Sequence, residues 1–388
     1  MSSEWSETTW GEIATLEYGK AIRDYQNASG GVPVYGTNGP IGWHHTPLCN
    51  SDGVVIGRKG AYRGVHYSPK PFFVIDTAFY LKPKIELSAR WAYYCLLTYD
   101  INGMDSGSAI PSTSRDEFYK LPVKVPALAE QNRIVEVLSL LDDRITLLRE
   151  TNATLEAIAQ ALFKSWFVDF DPVRAKAQGR QPDGMDATTA ALFPDSFDES
   201  ELGLVPKGWS VARFGDFINR LSVGQKYDQK SASAEGTVPV LDQGKSGIIG
   251  YHNDSPGVKA SLGAPVVVFA NHTCYMRLIT FDFSAIQNVL PFNGRNVDTV
   301  WAFYATKDRV KFTEYKGHWP DFAIEKSVLP PAELTYAFRD VVDPVIHKIR
   351  FNELQAQTLT QLRDTLLPRL ISGQLRLPEA ESLLEKVL

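Results

Sequence analysis

The chain has 388 residues, of which 44% are hydrophobic and 22% charged, so we expect two or three domains with buried cores and exclude a disordered chain. No apolar run is long enough to span a membrane, and the first residues, MSSEWSETTW, lack the features of a secretory signal. The three cysteines, Cys49, Cys95 and Cys274, lie far apart, which argues against a disulfide framework and a cysteine-rich zinc site. Together these features predict a cytoplasmic protein without membrane contacts.

The net charge of −5 is distributed unevenly along the sequence. Residues 1–127 carry 12 basic and 12 acidic side chains, whereas residues 128–208 carry 8 basic and 14 acidic ones. Within the first region, residues 54–84 contain six basic side chains and one acidic side chain. A local basic surface is compatible with DNA binding even when the whole chain is acidic.

The sequence repeats itself with an offset of about 204 residues. The matching segments are residues 5–13 and 209–217, 32–35 and 238–241, 41–44 and 249–252, and 154–163 and 358–367. The offset drifts between 204 and 212, so we expect small insertions in the loops of a shared fold. A period of this length predicts a duplicated two-part unit and not a solenoid.

In each copy, a mixed domain precedes a long helix. In the first domain, apolar runs predict strands at residues 53–56 and 72–80, with a helix at residues 91–98 packed on them. From residue 129 onward, the spacing of apolar residues predicts a long helix with a coiled-coil seam. They recur every seven residues, at Ile134, Leu141, Leu148, Leu155 and Leu162.

A second amphipathic helix is predicted at about residues 337–371, with Pro368 and Gly373 marking its end. Each helix alone would expose its stripe of apolar residues to water. We therefore predict that the two helices pack against each other in an antiparallel pair. About 38 residues at ~1.5 Å each would give a spacer of about 57 Å. The apolar stripe of this second helix consists of Val345, Ile349, Leu359, Leu362, Leu366 and Leu370.

The segment 169–207 is rich in Asp, Pro and Gly, and this composition predicts an irregular connector between the two copies.

The sequence lacks the residue patterns of an enzyme active site. It has no glycine-rich nucleotide fingerprint, no Asn/Asp-Pro-Pro-aromatic tetrad of an amino-methyltransferase, and no metal-ligand spacing around His44 and His45. We therefore predict no catalytic, cofactor-binding or metal-binding residue. Two alternatives stay open: a nuclease using Asp195 with Asp228 and Lys230, and a bundling protein that binds DNA without sequence preference.

Several short motifs occur together in this chain. They are PVYGTNG at 33–39, IGRKGAYRG at 56–64, DTAF at 76–79, SAIPST at 108–113, LFPD at 192–195 and LVPKGW at 204–209. In combination they resemble the DNA-specificity subunits of type I restriction–modification enzymes, over essentially the whole length. The second half departs from the pattern, because His318-Trp319-Pro320 stands where the first half has Ala109-Ile110-Pro111.

The resemblance implies an α+β fold with two mixed α/β target recognition domains in tandem. Two long helices forming an antiparallel coiled coil would separate the domains, and a pseudo-two-fold repeat would relate the halves. The expected boundaries are 1–127 for the first domain, 128–168 for the central helix, 169–208 for the connector, 209–331 for the second domain, and 332–388 for the distal helix and tail.

The resemblance also implies a function and partners. Each domain would recognise one half of a bipartite, asymmetric target in double-stranded DNA, and the helices would set the gap between the halves. Two modification subunits would methylate adenine, and restriction subunits would translocate and cut DNA, so the chain itself would not be an enzyme.

The candidate DNA-contacting residues carry basic or hydrogen-bonding side chains in predicted loops. Arg58 and Lys59 lie between glycines after a predicted strand, and arginine can contact guanine bidentately while lysine contacts phosphate. The first-domain set is Tyr35, Asn38, Arg58, Lys59, Arg63, His66, Ser112, Thr113 and Arg115. The second-domain set is Lys245, Asn271, Tyr275, Arg277, Lys316 and His318.

Structural roles are open alternatives at several of these positions. Tyr35, Asn38, Tyr62 and His66 are equally suited to stabilising turns. The hydroxyl-rich segment 112–114 is equally suited to capping a helix. Beyond the regular heptads, Trp166 and Phe167 are predicted either to cover an interface with a methyltransferase partner or to pack in a core.

Overall fold

The computed structural model describes residues 5–25, 29–104, 110–244 and 247–384. The chain divides into two units, the first formed by Met1–Leu148 with Gln355–Leu388 and the second by Arg149–Leu354. We call them unit 1 and unit 2. No helix within the described ranges is both long enough and apolar enough to cross a membrane.

The first copy begins with short strands and helices and ends in a helix of 40 residues. Its elements are β1 Ser6–Thr9, α1 Trp10–Ile13, β2 Ala14–Tyr18, β3 Val32–Gly36, β4 Gly39–His44, β5 Gly53–Gly57, β6 Val65–Ser68, β7 Phe73–Val74, β8 Ala78–Pro83, α2 Ala89–Leu96, α3 Arg115–Lys120, β9 Pro122–Val125 and α4 Leu128–Phe167.

The second copy repeats this order of elements, with an additional segment at its start, an additional strand β14 and an additional helix α11 at its end. Its elements are α5 Asp171–Ala177, α6 Ala187–Ala191, β10 Phe197–Ser200, β11 Gly203–Pro206, β12 Ser210–Arg213, α7 Phe214–Phe217, β13 Ile218–Arg220, β14 Lys226–Tyr227, β15 Val238–Leu241, β16 Ile248–His252, β17 Val266–Ala270, β18 Met276–Ile279, β19 Ser284–Ile286, β20 Val289–Gly294, α8 Thr299–Thr306, α9 Trp319–Ile324, β21 Lys326–Leu329, α10 Ala332–Ile371 and α11 Leu377–Leu384.

Small sheets form the mixed part of each unit. In unit 1, one sheet has the strand order β2-β8-β5-β6 and another has the order β4-β3-β7, with β3 parallel to β7. Unit 2 has the corresponding orders β13-β20-β17-β18 and β14-β19-β15-β16, with β15 parallel to β19. The central strands β5 and β17 are buried along their whole length, as expected for valine-rich strands covered on both faces.

The predicted repeat is visible in the backbone pairing. Strands β1 and β9 pair through Ser6 and Val125, and β12 and β21 pair through Ser210 and Leu329, so that both partners are displaced by 204 residues. The predicted helix at 91–98 corresponds to α2. The predicted strand at 72–80 is wrong as a single strand, because the chain leaves the smaller sheet after β7 and joins the larger sheet at β8.

Two long helices are present, as predicted, and their pairing is antiparallel. Within unit 2, Asn352 on α10 contacts Asn152 on α4, with 2.8 Å between Nδ2 and Oδ1. Further along α4, Phe163 packs against Phe338, which precedes Asn352 on α10, with 5.7 Å between ring centroids. Within unit 1, Arg363 on α10 donates to the carboxylate of Asp142 on α4.

The heptad seam of α4 holds only as far as Leu148. Leu155 is partly exposed and Ile158 is 54% exposed, whereas Ala159 and Phe163 are buried. A straight helix has 3.6 residues per turn, so a strict seven-residue repeat drifts by about 20° per heptad around its axis. At the last leucine of the repeat, Leu162, burial passes to the next residue, Phe163, which is the direction of this drift, whereas Ala159 still follows the repeat of Leu138 and Ile145.

One further sequence prediction differs from the structure. The segment 169–207 is not irregular, since it contains α5, α6 and the antiparallel pair β10–β11. Asp186 caps α6 by accepting a hydrogen bond of 3.0 Å from the amide of Thr189.

The predicted end of the second long helix is confirmed. Helix α10 ends at Ile371, Pro368 lies in its last turn, and Gly373 follows with a φ of 75°, which is the left-handed conformation that favours glycine after a helix.

Candidate nucleic-acid interface

Three loop segments of unit 1 meet at one end of its sheets. The Thr37 hydroxyl donates to the carbonyl oxygens of Lys59 (2.8 Å) and Thr77 (2.6 Å). The Gly60 amide donates to the carbonyl oxygen of Pro111 (3.0 Å). These bonds bring most of the predicted first-domain residues together. We call this assembly the loop cluster of unit 1, formed by residues 37–38, 58–64 and 110–115.

Two arginines of this cluster lie against one tyrosine ring. The guanidinium carbons of Arg58 and Arg115 are 4.8 Å and 5.1 Å from the ring centroid of Tyr18. They line a cavity of about 610 Å³. We call it the cationic cleft, lined by Tyr18, Arg58, Lys59, Phe79, Ile110, Ser112, Thr113, Ser114, Arg115 and Asp116.

Neighbouring oxygen atoms fix both guanidinium groups in place. Nη1 of Arg58 donates to the carbonyl oxygen of Asp76 (2.8 Å), and Nη2 of Arg115 donates to the hydroxyl of Tyr119 (2.9 Å). Hydrogen bonds to the hydroxyls of Tyr119 and Tyr18 raise the pKa of Arg115. Within the described residues, neither arginine forms an ion pair with a carboxylate. The lining of the cleft therefore carries three cations, Arg58, Lys59 and Arg115, against one carboxylate, Asp116, and its net charge is positive.

Three predicted contacts of the first domain are wrong, since the residues are buried. Tyr35 packs edge-on against Phe72, with 5.9 Å between ring centroids. Arg63 is 3% exposed, and its guanidinium donates to the carbonyl oxygens of Gly60 (2.9 Å) and Met104 (3.1 Å). A buried charge requires such partners, and they occupy the donors that DNA would need.

Thr113 is also buried, and its hydroxyl donates to the carbonyl oxygen of Gly57 (2.8 Å). The capping alternative holds at Ser114, whose hydroxyl accepts a hydrogen bond from the amide of Glu117 at the start of α3. Its neighbour Ser112 is partly exposed and forms a backbone bridge with Lys59.

The remaining residues of the cluster lie nearer its surface. Asn38 is exposed at the β3–β4 turn, and Lys59 is exposed beside the cationic cleft. His66 is half-buried below this turn, and burial lowers the pKa of its imidazole. Tyr62 and Ile110 project furthest, with 76% and 61% of their surfaces exposed.

Unit 2 forms an equivalent cluster with different side chains. The Asn271 amide donates to the carbonyl oxygen of Asn288 (2.9 Å), just as the Arg58 amide donates to that of Thr77 (3.0 Å). The carbonyl oxygen of Asn271 accepts from the His318 amide (2.9 Å), and its side-chain oxygen accepts from the Trp319 amide (2.9 Å). Asn271 thus occupies the position of Arg58.

His318 is wrong as a DNA contact, because it is 1% exposed and its ring lies against Phe312. It precedes α9 as Ser114 precedes α3, so its counterpart is Ser114 and not Ala109. Lys316 is exposed, but it forms ion pairs with Glu314 (3.4 Å) and Asp321 (3.3 Å).

The other second-domain residues are divided between loop and strand. Tyr275 lies partly exposed in the β17–β18 loop, whereas Arg277 lies on β18 and has a buried Nη1 without a partner among the described residues. Lys245 lies outside the described residues. The sequence prediction missed Tyr315, which is 85% exposed and stacks on His272 with 4.8 Å between ring centroids.

The sequence prediction missed two aromatic residues, Tyr315 and Tyr18, and the sequence contains a signal for only one of them. Tyr315 stands between Lys311 and Lys316, a basic and aromatic pattern that favours nucleic-acid binding. Tyr18 carries no such signal, because the two arginines against its ring are 40 and 97 residues away along the chain.

Trp166 and Phe167 pack in the core of unit 2. Each is 5% exposed, and their rings lie 5.9 Å and 5.5 Å from that of Phe338. Of the two roles predicted for them, core packing is the one observed. Their large aromatic surfaces stabilise the contact between α4 and α10 within this unit.

No cluster of metal-ligating side chains is found in the part of the chain that the structure describes. Asp228, the second carboxylate of the nuclease alternative, has a structural role. It stabilises a turn by accepting hydrogen bonds from the amides of Lys230 (3.0 Å) and Ser231 (2.8 Å). The hydrogen bonds from Ser231 lower the pKa of Asp228. A structural turn accounts for this residue fully.

Comparison with known proteins identifies the kind of domain that carries these loops. Residues 2–157 match the model of the type I restriction modification DNA specificity domain. The first copy is therefore a DNA specificity domain of this type, followed by its helix.

Similar proteins extend this likeness along the chain. The HindI specificity subunit of Haemophilus influenzae is 25% identical over 328 residues, covering 68% of this chain and 71% of that protein. The MjaIX specificity subunit of Methanocaldococcus jannaschii is 24% identical over 326 residues, covering 76% and 71%. The crystal structure of an S subunit from M. genitalium shares the fold, with a TM-score of 0.57, 15% identity and coverage of 96% and 97%. The chain is therefore similar to type I restriction–modification specificity subunits over most of its length.

Proposed function

We propose that this chain is the non-catalytic DNA-binding subunit of a type I restriction–modification system. The loop cluster of unit 1 recognises one half of a bipartite, asymmetric DNA target. The equivalent cluster of unit 2, around Asn271, recognises the other half. The target recognition domains are residues 1–127 and 209–331, joined by the helices at 128–168 and 332–388 and by the connector at 169–208.

One observation carries the proposal. The two clusters share one backbone hydrogen bond but differ in the side chain of the residue that donates it. Arg58 in unit 1 is replaced by Asn271 in unit 2, although the amide of each donates to an equivalent carbonyl oxygen. Arginine favours guanine or phosphate, and asparagine favours adenine. A duplicated scaffold with two different surfaces suits a target whose halves differ in sequence.

The remaining activities belong to partner subunits. Two modification subunits methylate adenine in the recognised DNA, and restriction subunits translocate and cut it. This chain determines where they act, and the paired helices α4 and α10 determine the gap between the two half-sites. Such a division requires no active site in the specificity subunit.

The test is to assemble the full chain with its modification subunits and to map methylated adenines across a genome. We expect a single bipartite motif with a fixed gap. Replacing residues 209–331 with those of a relative should change one half of the motif and leave the other half unchanged. Changes in both halves, or methylation without a motif, would contradict the assignment of one half to each domain.

A control experiment separates recognition from catalysis. The purified chain alone, incubated with DNA and a methyl donor, should give no methylated adenine. Methyl transfer by the chain alone would show that it is an enzyme.

A further inference from the structure

We propose that the cationic cleft of unit 1 binds a backbone phosphate of the DNA and does not contact a base. This inference rests on the proposed function, because it assigns a role to part of the unit 1 surface. It adds Tyr18 and Arg115 as the residues that position the domain on the duplex, and it moves base recognition to the neighbouring loops.

The first argument is the charge of the cleft. Arg58 and Arg115 share the ring of Tyr18 and have no carboxylate partner among the described residues. Lys59 is exposed beside them and adds a third positive charge. With three cations and one carboxylate in its lining, the cleft has a net positive charge that attracts an anion. The anion that DNA offers is its phosphate.

The second argument is the shape of the cleft. Base edges lie inside the grooves of DNA, about 8.5 Å deep in the major groove, so side chains that contact them must project from the protein. Arg58 does not project, because its guanidinium lies 4.8 Å and 5.8 Å from the ring centroids of Tyr18 and Phe79 and is bonded to a carbonyl oxygen. A recessed cationic surface fits a group that projects from DNA, which is the phosphate.

The third argument is the position of the residues that do project. Tyr62 and Ile110 are the most exposed apolar side chains of the loop cluster, and Asn38 is exposed at the adjacent turn. These three belong to the loops that surround the cleft. A phosphate held in the cleft would fix the register of the domain on the backbone while these loops face the bases.

Unit 2 provides an internal contrast. Trp319 takes the place of Arg115 at the 204-residue offset, and Asn271 takes the place of Arg58 by its equivalent backbone hydrogen bond. One arginine, Arg220, lies over Trp319, with 5.3 Å between the guanidinium carbon and the ring centroid. The paired guanidinium groups are therefore a property of unit 1, and we expect the strongest phosphate contact on its half of the target.

The experiment compares Arg115→Ala, Arg115→Lys and Arg58→Ala in the complete complex with modification subunits. Affinity is measured for the preferred DNA and for DNAs with each base pair of the first half-site replaced, between 50 and 200 mM salt. Arg115→Ala and Arg58→Ala should each weaken binding to all these DNAs by a similar factor, about tenfold. Each should also reduce the slope of log K against log salt by about one. Arg115→Lys keeps the charge and should retain most of the slope.

A second measurement locates the phosphate. Neutral methylphosphonate groups replace the phosphates of the first half-site one at a time. One replacement should weaken binding of the unaltered protein but have no further effect on Arg115→Ala. The matched control is Lys82→Ala, which removes an exposed cation of β8 outside the cleft and should change neither the slope nor this pattern.

Two results would overturn the inference. Loss of preference at one base pair in Arg115→Ala or Arg58→Ala would show that the cleft contacts a base. Unchanged affinity and unchanged slope in both alanine variants would show that the cleft does not contact DNA. If the unaltered complex shows no sequence preference in either half-site, the proposed function fails instead, and this outcome is visible before any variant is tested.

Discussion

The side-chain amide of Asn352 donates a hydrogen bond of 2.8 Å to the amide oxygen of Asn152, which joins α10 to α4 within unit 2. Nδ2 of Asn152 in turn donates to the carbonyl oxygen of Ile349 (3.1 Å). Asn352 is 1% exposed, so this pair is a polar contact inside an otherwise apolar seam. Buried asparagines in coiled coils fix the register of the helices at some cost in stability.

This contact gives the first prediction. Asn352→Leu alone should lower the free energy of unfolding by about 1 kcal/mol, because it removes the hydrogen bond to the partly buried Asn152 side chain. Adding Asn152→Leu should restore or exceed the original stability. Thermal unfolding of the three proteins measures both effects. A double variant less stable than the single variant would contradict this account.

The second prediction concerns Arg63. Arg63→Ala should lower the free energy of unfolding by about 2–4 kcal/mol, because it leaves buried carbonyl oxygens without donors. Arg58→Ala should cost less than about 1 kcal/mol, because its guanidinium group is partly exposed. Denaturant titrations of both variants test the difference. Equal losses of stability would mean that Arg63 is not a structural residue.

The third prediction is a pH dependence in unit 2. Burial raises the pKa of Glu156, but hydrogen bonds from Lys307, Gln160 and Tyr304 outweigh it, and the net pKa is lowered. A lowered pKa means that Glu156 stabilises the folded state above the pKa of the unfolded chain, and that this contribution is lost as the pH falls through the folded value. Stability should thus fall below about pH 4.5.

Glu156→Gln tests this contribution, because it keeps the shape of the side chain and removes the charge. The variant should lose less stability than the original protein on acidification over that range. The matched control is Glu150→Gln, an exposed position on the same helix, which should leave the pH profile unchanged. Parallel profiles for the original protein and Glu156→Gln would refute the assignment.

The fourth prediction follows from the proposed role of the helices in setting the gap. Inserting four residues into α4 near Thr151, and four into α10 opposite them, should lengthen the pair by about 6 Å. DNA rises about 3.4 Å per base pair, so the preferred gap should widen by one or two base pairs while both half-sites keep their sequences. Site selection from randomised DNA measures the gap. An unchanged gap at full affinity would show that the helices do not set it.

The features that the sequence predicts are those that depend on the spacing of residues along the chain. The 204-residue repeat and both long helices follow from spacing alone. The burial of Arg63 does not, because its partners include the carbonyl oxygen of Met104, 41 residues away, and the closure of that loop leaves no local signal. The prediction of the seam beyond Leu148 is wrong, because the seven-residue repeat of apolar residues continues in the sequence after those residues are no longer fully buried.

The antiparallel pairing of β1 with β9 has a consequence for how such chains change. Ser6–Thr9 lies beside Pro122–Val125, so the backbone comes into the first domain and goes out of it at neighbouring points. Ser210–Arg213 and Lys326–Leu329 form the same arrangement in the second domain. Everything between each pair can be exchanged as a cassette without moving its ends. Under the proposed function, exchange of a whole domain at these points would change one half of the target and leave the helices unchanged.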